Sequence, residues 1–277
     1  MSRIEIKTIS QIHEMRAAGM IVAETLAAVG EKVAVGVTTN ELNKIGRDLI
    51  ARAGGSSPFL GYGAQWGIKP FPAESCISLN DTVVHGFPSE YALQDGDLVS
   101  YDFGATLNGW VGDAARSFIA GNADPADEEL IDVTREAMWA GISAIRIGGR
   151  IGDISHAIQL SIEARGPYGI LRDYTGHGNG STMHQKPDVP NAGRARFGAK
   201  IVPGMVLAIE PMVTLGSDET EILDDDWTVV TADGSRSAHW ENTVAILPDG
   251  IWILTELDGG VAEAAKRGIR LSVEATR

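Results

Sequence analysis

Residues 99–118 read VSYDFGATLNGWVGDAARSF, with Asn108-Gly109 between two runs of strand-forming residues. Asn-Gly is the strongest short-range signal for a two-residue hairpin, because a type I′ turn needs positive φ at both central residues. Such a turn sets Leu107 opposite Trp110 and thereby fixes every pair outward from it, so that Asp102 faces Ala115. Asp113 stands two residues from Ala115, and the two aspartates therefore share one face as diagonal neighbours. Their backbones lie roughly 7 to 8 Å apart in that arrangement, and the carboxylates can converge on metal ions about 3.5 to 4 Å apart. A three-residue loop would flip the parity and separate them.

At 277 residues and 44% hydrophobic, the chain has enough apolar side chains for a sizeable core, and one compact unit is expected. A formal net charge of −14 does not suit a phosphate-backbone footprint, which needs clustered Lys and Arg, so direct nucleic-acid binding is not expected. Divalent cations held among carboxylates would neutralise part of that charge. Cys76 is the lone cysteine and cannot form an internal disulfide, as a reducing compartment predicts. The opening MSRIEIKTIS has no apolar signal-peptide core, and no stretch approaches the ~20 apolar residues of a membrane span. A cytoplasmic protein without a membrane segment is expected.

Thr8 with Gln11 and Thr38 with Glu41 fit the capping-box pattern. Each precedes apolar residues at helical spacing: Ile12, Met15, Ala18, Ile21, Val22 and Leu26, then Leu42, Ile45, Leu49 and Ile50. Two helices are predicted, ending near Gly30 and Gly54. A second pair begins at Asp124-Pro125, continues to Gly148-Gly149, and is completed by a shorter helix closing at Gly166. Strand-like runs cover 98–103, 110–119, 205–213, 227–231 and 239–247. Shifting the chain by 112 residues superposes Gly36 on Gly148, Leu42 on Ile154, Ile50 on Ile162 and Gly54 on Gly166, a short internal repeat. One domain over 1–277, with pseudo-symmetric halves of about 1–120 and 121–255, predicts an α+β fold. Its helices would cover one face of a shared, mainly antiparallel sheet. Residues 63–75 are the one long irregular stretch before the first motif, and their two prolines and aromatics predict an ordered surface loop.

Further chemistry lies in TGHGNGSTMHQKPDVPN, where glycines flank His177 and His184 follows seven residues later. Glu210 in MVLAIEP and Glu241 in AHWENTVAIL interrupt runs that otherwise read as buried strand. A buried unpaired carboxylate is costly, and metal coordination is one way to keep it ionised. With Asp102 and Asp113 these residues make a set of four carboxylates and one imidazole, an oxygen-rich site. The glycines 176, 178 and 180 could form a phosphate loop, but that reading is disfavoured, since no strand-to-helix unit surrounds them and no P-loop lysine follows. Cys76 reads as a packed small hydrophobe, residues 224–226 as a solvated acidic turn, and His13, His156 and His239 as ordinary core or surface histidines.

In residue types, order and spacing the chain resembles the type I methionine aminopeptidases, whose pita-bread fold is shared with creatinase and proline-specific peptidases. The resemblance runs from about Ile4 to Leu254 and rests on NDTVVHGFP with His85, the aspartate hairpin, GHGNGSTMH, LAIEPMV and HWENT. It implies hydrolysis of the first peptide bond, removing N-terminal methionine from nascent proteins and peptides, with ribosome association as a possible accompaniment. Two divalent ions, of cobalt, manganese, iron or zinc, would share a water or hydroxide. By position, Asp113 and Glu241 would bridge both ions, His177 and Glu210 would complete the first, and Asp102 would chelate the second. Glu210 would shuttle a proton, His184 would stabilise the oxyanion, and His85 would contact the scissile amide nitrogen. The free amine of the substrate would bind the second ion, which accounts for exopeptidase action. Phe59, Tyr62, Cys76, Met183 and Trp227 would form the methionine pocket.

Three departures from the family pattern stand out: Phe103-Gly104 replaces Val-Thr after the first aspartate, Val111 replaces a histidine, and Gln185-Lys186 replaces an acidic pair. Residues 63–75 exceed the common family loop, and Trp66 or Phe71 would stand in for a second pocket tyrosine. Two alternatives use the same scaffold: a proline-specific aminopeptidase or dipeptidase, disfavoured by the short spacing, and a non-catalytic protein that binds peptide ends, which should have lost ligands.

Overall fold

The computed structural model describes residues 4–276. Helices α1 (Ile9–Gly30) and α2 (Thr39–Arg52) start on capping boxes, in which Thr8 and Thr38 exchange hydrogen bonds with Gln11 and Glu41. Short strands β1 (Ser75–Leu79) and β2 (Thr82–Val84) follow, then the long hairpin of β3 (Leu98–Leu107) and β4 (Trp110–Ile119). Helix α3 (Pro125–Ser143) is capped by Asp124, and α4 (Ile151–Glu163) comes next. Strands β5 (Gly169–Ile170), β6 (Gly176–Gly178) and β7 (Gln185–Val189) lead to β8 (Val206–Ile209) and β9 (Met212–Thr214). The chain ends with β10 (Thr220–Ile222), β11 (Val229–Thr231), β12 (Ser237–His239), β13 (Asn242–Leu247), β14 (Gly250–Ile253) and helix α5 (Val261–Arg267). All pairing between these strands is antiparallel, in sheets ordered β1-β3-β4, β10-β11-β2, β12-β9-β5 and β14-β13-β8-β6-β7. Among the described residues, no helix is long and apolar enough to cross a membrane.

Two apolar cores anchor the sheets. Val22, Leu26 and Leu42 of the first helix pair pack with Tyr101, Phe103 and Ala114 of the hairpin, while Met138, Ile142, Ile154 and Ile158 of the second pair pack with Leu207, Ile209, Val244 and Ile246. Four expected elements differ in extent. Helix α3 stops at Ser143 rather than continuing to the glycines, and Arg146 folds back to donate to the Ser143 and Ile145 carbonyls at 2.7 Å each. The run 227–231 becomes strand only at Val229, because the Asp225 carboxylate takes the Trp227 and Thr228 N–H groups. The runs 205–213 and 239–247 are each split, at Glu210-Pro211 and Trp240-Glu241.

Those two breaks preserve one register. Ile209 pairs with Asn242 on one side and Met212 with His239 on the other, so Glu210 and Glu241 stand opposite each other where the ladder bends between two sheets. Pro211 has no N–H to continue the ladder. On the hairpin, Gly112 leaves no room for a side chain: a Cβ there would lie 2.6 Å from Gly19 N and 2.7 Å from Gly19 Cα of α1. Helix and hairpin thus meet backbone to backbone. Gly112→Ala is expected to destabilise the fold by about 1–3 kcal/mol through forced separation of these elements, read as a lower urea midpoint; an unchanged midpoint would contradict this packing.

Candidate metal centre and substrate cavity

The hairpin turn forms with Asn108 at φ 51° and Gly109 at φ 80°, and the register pairs Leu107 with Trp110 and Asp102 with Ala115. Asp102 and Asp113 therefore share a face, as the two-residue turn requires. Strand β1 lies alongside and pairs Cys76 with Asp102. His177 enters from β6, paired with Ala208 of β8, next to the bend that carries Glu210. Hydrogen bonds tie hairpin to bend. The Glu241 N–H donates to the Ala115 carbonyl at 3.0 Å, and the Thr243 hydroxyl accepts from Asp113 N–H at 3.2 Å and donates to Asp113 O at 2.7 Å. Arg116 braces the same point, donating to the Glu241 carbonyl, to Asn242 Oδ1 at 2.8 Å and to Glu256 at 2.7 Å, with its guanidinium 5.1 Å from the Trp240 ring centre.

All twelve residues expected at the site line one cavity of about 270 Å³. His177 Nε2 lies 3.3 Å from Glu210 Oε1 and 3.9 Å from Asp113 Oδ2. Its Nδ1 sits 3.1 Å from the Gly178 carbonyl, which can only accept, so Nδ1 carries the hydrogen and the Nε2 lone pair faces the carboxylates. A lone pair and carboxylate oxygens that face one another form a donor set suited to a cation. Asp102 Oδ1, Asp113 Oδ1 and Glu241 Oε1 are buried without any hydrogen-bond partner, which agrees with the same role. Two sets of ligand atoms gather within 4.8 Å of one another: Asp113, His177 and Glu241, and Glu210, His239 and Glu241. Asp102 stands beside these sets rather than in them.

Burial raises the carboxyls of Asp102, Glu210 and Glu241 well above their usual range, with Asp113 adding its charge to each, and raises Asp113 to about 7. Burial also holds His177 and His239 down to about 3 and His85 to about 4, with His184 contributing to the first and last of these. Burial by the surrounding protein lowers His184 too, to about 4.

His239 corrects the sequence reading. It is no ordinary core histidine: it lines the cavity, 2% exposed, with Nε2 lacking a hydrogen-bond partner and 3.6 Å from Glu210 Oε2. The signal was present, since period two puts residue 239 on the face of Glu241. Tyr174 and Met212 also line the cavity and were missed; Met212 lies two residues beyond Glu210. Of the two aromatics named for the 63–75 loop, Phe71 lines the cavity and Trp66 is 61% exposed outside it. Phe59, Phe71, Cys76 and Met183 form an apolar cluster with Val111, against which Tyr62 and Trp227 pack. Val111 thus extends this apolar wall. Gly104 is equally placed: a Cβ there would lie 2.7 Å from Pro58 Cγ and 2.9 Å from Phe59 Cε1, so glycine makes room for Phe59.

The model of metallopeptidase family M24 matches residues 13–248. The methionine aminopeptidase of Clostridium perfringens is 50% identical over 253 residues, covering 91% of this chain and 98% of that protein. Methionine aminopeptidase 1 of Mycobacterium tuberculosis is 46% identical over 255 residues, covering 90% and 94%. The crystal structure of methionine aminopeptidase from Thermotoga maritima aligns with a TM-score of 0.87 at 40% identity, over 92% of this chain and all of that one. Prolidase from Pyrococcus furiosus shares the fold, with a TM-score of 0.70 at 21% identity over 91% of this chain and 65% of that one. The architecture is the α+β pita-bread fold common to both.

The raised carboxyls and lowered imidazoles act oppositely on stability in the absence of metal. Imidazoles that stay neutral when folded favour folding as pH rises from about 3–4 to about 7.5, one unit above the ordinary value, where the unfolded groups finish titrating. Carboxyls that hold protons when folded disfavour folding as pH rises from about 4 through their raised pKa. Only the second trend persists above about 7.5. Chelator-treated protein should therefore lose stability to urea as pH rises above ~7.5, and saturating Mn²⁺ should remove the loss. Metal-free stability that rises in this range would contradict the assignment.

Proposed function

Because the chain belongs to metallopeptidase family M24, among its methionine aminopeptidases, we propose that it hydrolyses the first peptide bond of polypeptides that begin with methionine. One observation carries this reading. Four carboxylates and an oriented imidazole, three of the carboxylate oxygens unpartnered, converge in a cavity beside an apolar, largely aromatic wall. The physiological substrates in this proposal are nascent polypeptides, met in the cytoplasm as they leave the ribosome.

Asp102, Asp113, His177, Glu210 and Glu241 would hold two divalent ions, with Asp113 and Glu241 serving both, His177 and Glu210 one, and Asp102 the other. Imidazole plus carboxylate donors suit manganese, iron, cobalt or zinc, with availability deciding among them. Such ions supply Lewis-acid polarisation of the scissile carbonyl and acidification of a water. Glu210 would accept a proton from the attacking water and return it to the departing amine, as base and then acid. His184 donates toward the developing oxyanion, and His85 faces the scissile nitrogen. Phe59, Tyr62, Phe71, Cys76, Met183 and Trp227 receive the methionine side chain, whose flexible thioether suits an irregular aromatic pocket. The Trp227 indole N–H donates to the Lys69 carbonyl at 2.7 Å, which holds this wall to the 63–75 loop.

Metal-loaded protein should release methionine from Met-Ala-Ser and leave Xaa-Pro peptides intact; the reverse preference would favour the proline-specific alternative. Asp102→Ala should cut turnover by at least about 100-fold, corresponding to the several kcal/mol that a correctly held ion supplies, and wild-type turnover in that variant would sink the assignment. Trp227→Ala should weaken selection of methionine over alanine by about tenfold, the scale of a lost apolar contact. Unchanged selectivity would remove Trp227 from the pocket.

A further inference from the structure

The Tyr62 hydroxyl meets Nδ1 of His184, and the two rings pack edge to face with centroids 5.1 Å apart. Tyr62 is itself held on two sides. Trp227 lies 6.3 Å away, and Trp66, from the long 63–75 loop, packs edge-on at 5.0 Å. That loop is closed by backbone hydrogen bonds of 2.9 Å from Gly61 N–H to the Phe71 carbonyl and from Phe71 N–H to the Tyr62 carbonyl. On its other side the His184 ring packs against His177, centroids 4.4 Å apart. His184 therefore sits between a metal-ligand candidate and a phenol that the loop supports.

A neutral imidazole has one N–H, and which nitrogen carries it depends on what the other nitrogen meets. A phenol keeps its proton near neutral pH, and burial strengthens that hold on Tyr62, so its hydroxyl is available as a donor. A phenol donating to Nδ1 leaves the imidazole hydrogen on Nε2. Only that tautomer lets His184 donate from Nε2 to a developing oxyanion; the other would present a lone pair there. We infer that Tyr62 is a positioning residue which, held by Trp66 and Trp227, fixes the ring and the Nε2–H tautomer of His184. This rests on the aminopeptidase reading for the purpose of the tautomer, but not for its existence. The 63–75 loop thereby gains a role in the site, since its Trp66 presses on the phenol whose hydroxyl sets the histidine.

The test uses Tyr62→Phe, which keeps the ring packing and removes the hydroxyl. In metal-free protein labelled with ¹⁵N-histidine, the ring-nitrogen resonances of His184, assigned by their loss in His184→Ala, should report a single Nε2–H tautomer in wild type. Tyr62→Phe should give a mixture. With metal and Met-Ala-Ser, kcat should fall about 10- to 100-fold, the range seen for partners that orient a functional imidazole, while KM changes less than about twofold. In the His184→Ala background the same substitution should cost nothing further, because the two act as a unit. An Nδ1–H tautomer in wild type, an unchanged tautomer in Tyr62→Phe, or an equal kcat loss in both backgrounds would overturn the inference. Wild-type protein that released no methionine would instead defeat the proposed function, and the tautomer measurement would still decide the role of Tyr62.

Discussion

Four carboxylates share a cavity where water cannot solvate them all, and the scaffold around them serves to hold that arrangement. Each acid comes from a different strand or strand end, so their convergence depends on the registers of separate ladders. The hairpin and the bent ladder are joined by Glu241 to Ala115 and by Thr243 to both sides of Asp113. Arg116 contributes a largely enclosed positive charge at the bend, and it is held by two carbonyls, an amide, a carboxylate and an aromatic face. A guanidinium suits this because its planar fork satisfies several acceptors at once. Like charges kept together in this way constitute a binding site for cations: what is costly without them becomes affinity with them.

The same elements shape the space next to the charges. Strand β1 places Cys76 beside Asp102, Gly104 clears room for Phe59, and the 63–75 loop folds back so that Phe71 reaches the cavity. An apolar wall then adjoins an acidic floor, which is the arrangement a thioether side chain with an amine at its root requires. Burial drives the Cys76 thiol pKa up, with Asp102 adding to the effect, so the cysteine is a packed surface of this wall rather than a nucleophile.

Much of this was legible in the sequence, for local reasons. Asn108-Gly109 determined its own turn, and the turn determined the parity of Asp102 and Asp113. Capping boxes at Thr8 and Thr38 marked where helices begin, since those hydrogen bonds lie within four residues. The failures involved longer-range pairing. Strands such as β6 and β7 are short and glycine- or proline-containing, and they exist because neighbouring strands complete them. The runs around Glu210 and Glu241 looked continuous because their register is continuous; nothing local to the apolar pattern announced that the ladder changes sheets there. His239 was overlooked although period two puts it on the face of Glu241; that alternation gains chemical meaning once the partner strand brings Glu210 within 3.6 Å.

The central claim is that this cluster is a centre for divalent ions and that hydrolysis depends on it. The most direct measurement titrates Mn²⁺ into chelator-stripped protein, counting bound ions by elemental analysis after dialysis while following methionine release from Met-Ala-Ser. Activity should appear with metal loading, and binding in the cavity should saturate at two ions per chain. Tight binding with no methionine release at any loading, or release undiminished in fully stripped protein, would contradict the claim.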